Sequence, residues 1–328
     1  MLNKFIKNKI KNSDNFITNL VEKEQGLHVI KLFRIAFFSW VLFQTLLLIP
    51  YANDIMSPEA FILRKKFNSS MLHWFTNLST HPLIHPHFIF FIVAQIVLAT
   101  LGILGRSLRI TIFLTWFTTL NINTLSYIVT DGGSNISELI FFYMLFMNTS
   151  GVPIKEKHDG IIRNILIGLN NIAFMIAKIQ IVIVYLCTGI FKLNGNLWQN
   201  GMALYYILQS EAYSLPTLMN IIKNHPWISF LGTYTAVSFQ ITFPYLIWFK
   251  KTKGYIIALG CAIHMGIFFG MGLPTFGLMM CISYILFFEN SWADKILSTS
   301  HSLQKKVTSS FSKSKEQRPN YSKDFSKA

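Results

Sequence analysis

The chain has 328 residues, of which 52% are hydrophobic and only 13% charged, and its mean hydropathy is +0.43. Soluble globular domains carry roughly 25% charged residues, so this composition argues against a water-soluble domain and for an integral membrane protein. The net charge of +15 would suit a nucleic-acid binder, but the positives sit where membrane topology wants them, and nucleic acid is not an expected partner.

Residues 1–28 read as a basic amphipathic cytoplasmic segment. Leu2, Phe5, Ile6, Ile10, Phe16, Ile17 and Leu20 recur at helical spacing among Lys4, Lys7, Lys9 and Lys11. Such a helix lies on the inner leaflet, and its broken apolar pattern is not that of a signal peptide. Residues 29–289 then read as one transmembrane domain. A bilayer core needs roughly 20 apolar residues per spanning helix. Spans are predicted near Leu32–Tyr51, Pro86–Gly105, Ile110–Val129, Ile136–Met147, Ile172–Leu193, Trp227–Phe249, Tyr255–Gly272 and Leu273–Phe288. The fourth is short, and only "MGLPT" separates the last two, so seven spans with a re-entrant hairpin is the alternative. Residues 290–328, rich in Ser and Lys, read as a disordered basic cytoplasmic tail.

Charge selects between these topologies. With eight spans and the N-terminus inside, the outer loops hold only Arg64, Lys65, Lys66 and Lys223 of the 29 Lys and Arg. That agrees with the positive-inside rule, whereas seven spans would leave the lysine-rich tail outside. The predicted fold is all-α: a polytopic integral membrane helical bundle of about eight transmembrane helices. Both ends lie inside, and the place is the inner or plasma membrane of the cell. No internal repeat marks an inverted-repeat transporter. Cys187, Cys261 and Cys281 fall within spans without a Cys-x-x-Cys pair, which disfavours disulfides and a thiolate zinc site.

Polar groups left in hydrocarbon usually face the bundle interior or a cavity, so they are the informative ones. Lys178, Tyr185 and Lys192 are spaced by seven residues and lie along one helical stripe. Lys178 suits snorkelling to the inner interface. Lys192 ends the apolar run of "VYLCTGIFKLNGNLWQNG" on the outer side, where a lysine is disfavoured, and the segment after it is dense in amides and glycine. Interface anchor and functional group are both open readings. The same outer half holds the "TDGGSN" turn with Asp131, Gly132, Gly133 and Asn135, then Glu138, Asn194, Trp198, Gly201, Tyr205 and Tyr206. Gln240 and Pro244 lie near mid-depth, and His264 lies about 12 Å below the last hairpin. Together they predict an outward-opening pocket. Singly, Asp131 reads as a helix cap, His264 as a buried imidazole and the aromatics as an interfacial belt. His73, His81, His85 and His87 are interrupted by Pro82 and Pro86 and match no ordered ligand spacing, so no metal is expected.

A lysine in a dry pocket can shed its proton and serve as a general base or nucleophile. Lys192 is placed for a membrane-borne acid. Here the residues carry a resemblance. "IQIVIVYLCTGIFKLNGNLWQNGMALYYIL", "TDGGSNISELIFFYMLFMN" and "HMGIFFGMGLPTFGLMMCISYILFF" resemble the recurring segments of the horizontally transferred transmembrane (HTTM) family, which includes the vitamin K-dependent γ-carboxylases. Arg34, "LGILGRSLR" and "KKTK" agree with it. The resemblance covers about Lys31 to Phe288. It implies that Lys192 deprotonates a reduced quinone, vitamin K hydroquinone or menaquinol, ahead of oxygen addition and proton removal from a glutamate. Two features differ: the carboxylases have an Asn-His pair where this chain has Asn135-Ile136, and they carry a large lumenal domain. The short length and the Asp-Gly-Gly turn are more similar to the bacterial branch, which includes a membrane component of a sporulation-delaying toxin system that helps mature a secreted peptide. Two functions follow from the resemblance. One is a carboxylase- or epoxidase-like lyase using Lys192 in peptide modification or quinone epoxidation. The other is a non-catalytic maturation or immunity partner for a secreted peptide or a membrane protein.

Overall fold

The computed structural model describes residues 18, 20–60, 78–210, 213 and 215–300. Most of the N-terminal amphipathic segment, His73 and the chain after residue 300 lie outside them. The long helices are α1 Leu27–Leu48, α2 Ile89–Leu104, α3 Leu108–Leu125, α4 Gly132–Met144, α5 Gly160–Leu193, α6 Pro226–Leu246, α7 Lys250–Gly270 and α8 Pro274–Ser283. A 3-10 turn, Ile49–Tyr51, carries α1 on to Ala52–Met56, and another, Tyr284–Phe287, prolongs α8. Three short helices, Asn196–Gln199, Ala203–Gln209 and Pro216–Asn224, join α5 to α6. No strand occurs among the described residues.

Each predicted span falls on a helix, but their lengths differ. Among the described residues three helices are long and apolar enough to cross a bilayer: Leu27–Met56, Gly160–Leu193 and Lys250–Gly270. Pro274–Phe287 with Asn290–Ser300 would add a fourth only as a broken span, because the two are bent by 117°. The residues beginning the segment expected to be unstructured therefore form a helix, Asn290–Ser300. The other helices fall short for physical reasons. Helix α4 has 13 residues, about 20 Å at 1.5 Å per residue, against a hydrocarbon core of about 30 Å. Helix α3 buries Thr111, Thr115, Thr118, Thr119, Asn121 and Asn123, side chains that lower its hydropathy yet point inward. Helix α5 begins at Gly160, well before the predicted Ile172, with Asp159 in the extended conformation at its start.

Helix α1 runs through the centre. Its Phe33, Phe37, Phe38 and Trp40 are fully or almost fully buried and share one core cluster with Phe141 of α4, Ile181 and Tyr185 of α5, Phe243 of α6 and Met279 of α8. Rings stack along one face of α1, with Phe37 at 4.8 Å from Phe141 edge-on and 5.9 Å from Trp40. Helices in lipid gain little from the hydrophobic effect between them, so close packing and interior hydrogen bonds must hold them. Gly102 provides the closest approach of α2 to α1: a Cβ there would collide with the Phe38 ring.

At one end of the bundle, polar residues clamp the chain that leads into α1. Asn171 Oδ1 accepts from Gln25 N at 2.8 Å, and its Nδ2 donates to the carbonyls of Leu20 and Lys23. Asn170 Oδ1 accepts from Asn148 N at 2.7 Å, and its Nδ2 donates to Gln25 O. Glu24 closes the loop between α4 and α5, accepting from Asn148 Nδ2 at 2.6 Å and Ile154 N at 2.9 Å.

Phe38 is fully buried and cannot swing aside, so Gly102→Ala is expected to destabilise by about 1–3 kcal/mol through overpacking. Gly266 on α7 has nothing within 4 Å of an added Cβ, so Gly266→Ala is expected to leave stability unchanged or raise it by up to about 1 kcal/mol. Melting of the two variants in detergent, side by side, checks the contrast.

Candidate functional site

The predicted polar residues fall into three neighbourhoods at or below one end of the bundle. The deepest centres on Tyr185. The buried face of α5 runs through Phe174, Ala177, Ile181, Tyr185 and Gly189, and Lys192 continues that spacing to the helix end. Tyr185 is 2% exposed and packs on Phe243 at 4.3 Å and Phe239 at 5.3 Å between centroids. Its hydroxyl shares hydrogen bonds with His264 Nε2 at 2.7 Å and with the Tyr284 hydroxyl at 2.5 Å. One phenol thus ties α5 to α7 and to the end of α8. Gly260 makes room, since a Cβ there would collide with the Tyr284 hydroxyl. Buried His264 Nδ1 has no partner among the described residues.

The second neighbourhood is the Asp-Gly-Gly turn. Asp131 has the extended backbone of an N-cap and accepts from Ser134 N at 3.0 Å through Oδ1, the geometry that satisfies a free first-turn donor. Its Oδ2 accepts from Thr275 Oγ1 at 2.6 Å, and Thr275 O accepts from Trp40 Nε1 at 2.8 Å. Asp131 therefore staples α4 to α8 and, through Thr275, to α1. Gly132 and Gly133 let α8 close in: added Cβ atoms would meet the Phe276 ring at 3.1 Å and Phe276 Cα at 3.2 Å. Asn135 is exposed. Beside this staple opens a cleft of about 320 Å³ whose lining includes Gln44, Gln95, Asn123, Ser126, Thr130 and Thr275. Behind it, Asn123 Nδ2 donates to Glu138 Oε1 at 2.7 Å, and Gln95 Nε2 donates to Thr45 Oγ1 at 3.1 Å.

Lys192 occupies the third. Its ammonium lies 4.8 Å from the Trp198 ring centroid, in the last turn of α5, where both the ring face and the helix dipole favour a cation. It makes no hydrogen bond among the described residues to Tyr185, His264 or Asp131. Lys178 sits likewise, 3.8 Å over Phe174. Gly189, midway between Tyr185 and Lys192, meets α6: a Cβ there would lie 3.3 Å from Gln240 Cβ. Gln240 Oε1 is buried without a partner among the described residues. Asn194 is the exposed C-cap of α5, and Gln199 Nε2 donates to Leu193 O at 2.6 Å. Gly201 turns with φ 72° under Phe230 and Tyr234, while Tyr205 packs edge-on against Tyr206 at 5.6 Å. These residues shape the connection to α6.

The structure thus brings Tyr185 and His264 together, places Gln240 one turn above them, and sets Asp131 and Lys192 in separate neighbourhoods. It adds Tyr284, Thr275, Trp40 and Gln44, which the sequence reading did not single out. Tyr284 carried a signal: a phenol in a buried apolar run requires a partner. Of the four histidines near the first loop, His85 bonds Met56 O through Nε2 at 2.8 Å. No group of three or more His, Cys, Asp or Glu that could hold a metal stands together among the described residues.

Two curated proteins are similar to this chain. It is 28% identical over 207 residues to the sporulation-delaying protein SdpB of Bacillus subtilis (strain 168), covering 59% of this chain and 62% of the relative. It is 25% identical over 207 residues to the uncharacterised protein YitO of the same organism, covering 58% and 64%. The matched region thus spans less than two thirds of each relative. No family model matches, and no solved structure does.

Tyr185→Phe removes the one hydroxyl that serves two partners, and the expected cost is about 1–3 kcal/mol. Tyr284→Phe leaves the Tyr185–His264 bond intact and is expected to cost less. Thermal melting of both variants tests this order; an equal loss would mean that the Tyr185 hydroxyl does not join the three helices.

Proposed function

We propose that this chain is a multi-pass cell-membrane protein that holds a secreted peptide during its maturation. In this reading Leu27–Met56, Gly160–Leu193 and Lys250–Gly270 cross the bilayer outright, the shorter helices complete the bundle around them, and the lysine and arginine distribution favours both chain ends inside. The observation that carries this reading is the cleft beside Asp131. Gln44, Gln95 and Asn123 bring amides to it, and Ser126, Thr130 and Thr275 bring hydroxyls. Such groups both donate and accept, as a peptide backbone demands, while Leu47, Tyr51 and Val129 offer apolar contact for its side chains. Among the described residues no ionised side chain lines the cleft, which suits an apolar segment better than a charged metabolite. The similarity to a sporulation-delaying protein supports the reading, as does the family resemblance to a toxin-maturing membrane component.

A second reading keeps Lys192 as a base on a reduced quinone, in a carboxylase- or epoxidase-like lyase. It is favoured by one observation: Lys192 continues the buried Tyr185–Gly189 face of α5, and Gly189 meets α6 at Gln240, whose Oε1 is buried without a partner among the described residues. It ranks second because the Trp198 ring stabilises the ammonium, the form a base must first lose.

The test is mass spectrometry of peptides secreted by the source cells carrying wild type, Gln44→Leu with Thr130→Val, Lys192→Arg, or no copy of the protein. The expected outcome is a processed peptide with the wild type, a reduction of tenfold or more (about 1.4 kcal/mol of binding) with the cleft variant, and little change with Lys192→Arg. Loss with Lys192→Arg and not with the cleft variant would turn the assignment to the quinone reading, and a quinone epoxide in the membrane extract would confirm it. An unchanged peptide profile in cells lacking the protein would sink both.

A further inference from the structure

The bundle has a second cleft, of about 340 Å³, at the end where the loops joining α2 to α3 and α4 to α5 meet. Its lining is unlike that of the first. Arg109 and Lys157 contribute charge, Asn148 and Ser150 contribute polar groups, and Phe146 and Leu166 form an apolar wall. Lys157 Nζ donates to Ser150 Oγ at 3.3 Å, which holds its charge over the loop.

Behind the wall stands a further cation. Gly105 lines the cleft, and a Cβ on Gly105 would collide with Arg34 Nη1. Arg34 is 4% exposed and its Nε is unpartnered. Among the described residues no side chain accepts a hydrogen bond from it, and no carboxylate pairs with it. A buried, unpaired guanidinium is costly in a protein interior and more so near lipid. The neighbouring carboxylate, Glu24, is already spent on Asn148 Nδ2 and Ile154 N. Two cations thus line the concavity, a third stands behind Gly105, and no carboxylate is among the described lining residues.

We propose that this cleft binds a phosphate-bearing anion, with Arg109 and Lys157 at its mouth and Arg34 behind Gly105. The inference goes beyond the peptide-cleft reading and rests only on the chain's being a membrane protein. Two sources supply that chemistry: the headgroup of an anionic phospholipid and free inorganic phosphate. The apolar wall, next to exposed Ile161, Ile162 and Ile165 on α5, would take the acyl chains of the first.

The experiment uses the full chain in detergent. Native mass spectrometry is run with dioleoyl phosphatidylglycerol and dioleoyl phosphatidylcholine at equal concentration, and melting is measured with and without inorganic phosphate. Wild type is expected to retain phosphatidylglycerol over phosphatidylcholine by about tenfold. Arg109→Gln with Lys157→Gln should abolish that preference. Both residues are exposed, so the variant should melt like the wild type in the absence of either probe. If lipid preference is absent but phosphate raises the melting temperature of wild type and not of the variant, the anion is free phosphate. If neither probe separates wild type from the variant, the proposal fails. Arg34→Gln tests the buried cation: a folded variant with full anion preference removes Arg34 from the site.

Discussion

The Tyr185 hydroxyl is the point on which three helices agree. A polar group at that depth has no water to turn to, so its hydrogen bonds must be made inside the protein. Bonds to His264 Nε2 and the Tyr284 hydroxyl are directional, whereas contacts between Phe, Ile and Leu side chains can slide by a turn at little cost. The three groups therefore set the register of α5, α7 and the end of α8 together. Gly260 and Gly277 follow from that register. A Cβ at the first would collide with the Tyr284 hydroxyl, and one at the second would lie 2.6 Å from His264 O. Phe239 and Phe243 of α6 pack on this polar centre, with Phe243 touching both phenol rings.

The two ends of the bundle are tied by hydrogen bonds far more than by ion pairs. Among the described residues one pair is recorded, His28 with Asp294 at 3.7 Å, and both side chains are substantially exposed. Such a surface pair contributes little. At one end Asn170 and Asn171 take up backbone groups of the segment before α1 and of the loop before α5. At the other, Asp131 and Thr275 bind α4 to α8. Both clamps act on irregular backbone, where unpaired amides and carbonyls would be most costly. The molecule places its strongest polar contacts where its helices stop.

Where the helices lie was legible in the sequence; how far they extend was not. Apolar length locates a buried segment whatever it packs on, so each predicted span meets a helix. Helix α5 outruns its apolar stretch because Asn170 and Asn171, which read as a break in hydrophobicity, are buried and bonded across the chain. The threonines of α3 lie inside its predicted span and did not interrupt it. Oγ1 of Thr115 and of Thr124 each bonds its own helix backbone, which lets a polar side chain sit inside. For the candidate site, helical spacing places Tyr185 and Lys192 on one stripe of α5, while the bond from Tyr185 to His264 comes from the structure alone. Spacing along one helix cannot supply the partner from another, and Tyr284, Thr275 and Gln44 are all of that kind. Asp131 was legible in its modest role, as a cap, while its bond to Thr275 spans 144 positions of sequence and leaves no local trace.

The contrast between the two clefts bears on Lys192. Among the described residues one cleft is lined by amides and hydroxyls without a charged side chain, and the other carries Arg109 and Lys157. Lys192 lies outside both linings. The Trp198 face and the last turn of α5 each stabilise its ammonium by about 1 kcal/mol at partly exposed sites. These two interactions are sufficient to explain a lysine at the end of an apolar run without any reaction. For Lys192 to act as a base, an occupant would have to draw it away from Trp198 and into the space beside Gln240. The residue to watch for that chemistry is therefore the tryptophan: its position over Lys192 separates the anchored state seen here from one in which the amine is free to take a proton.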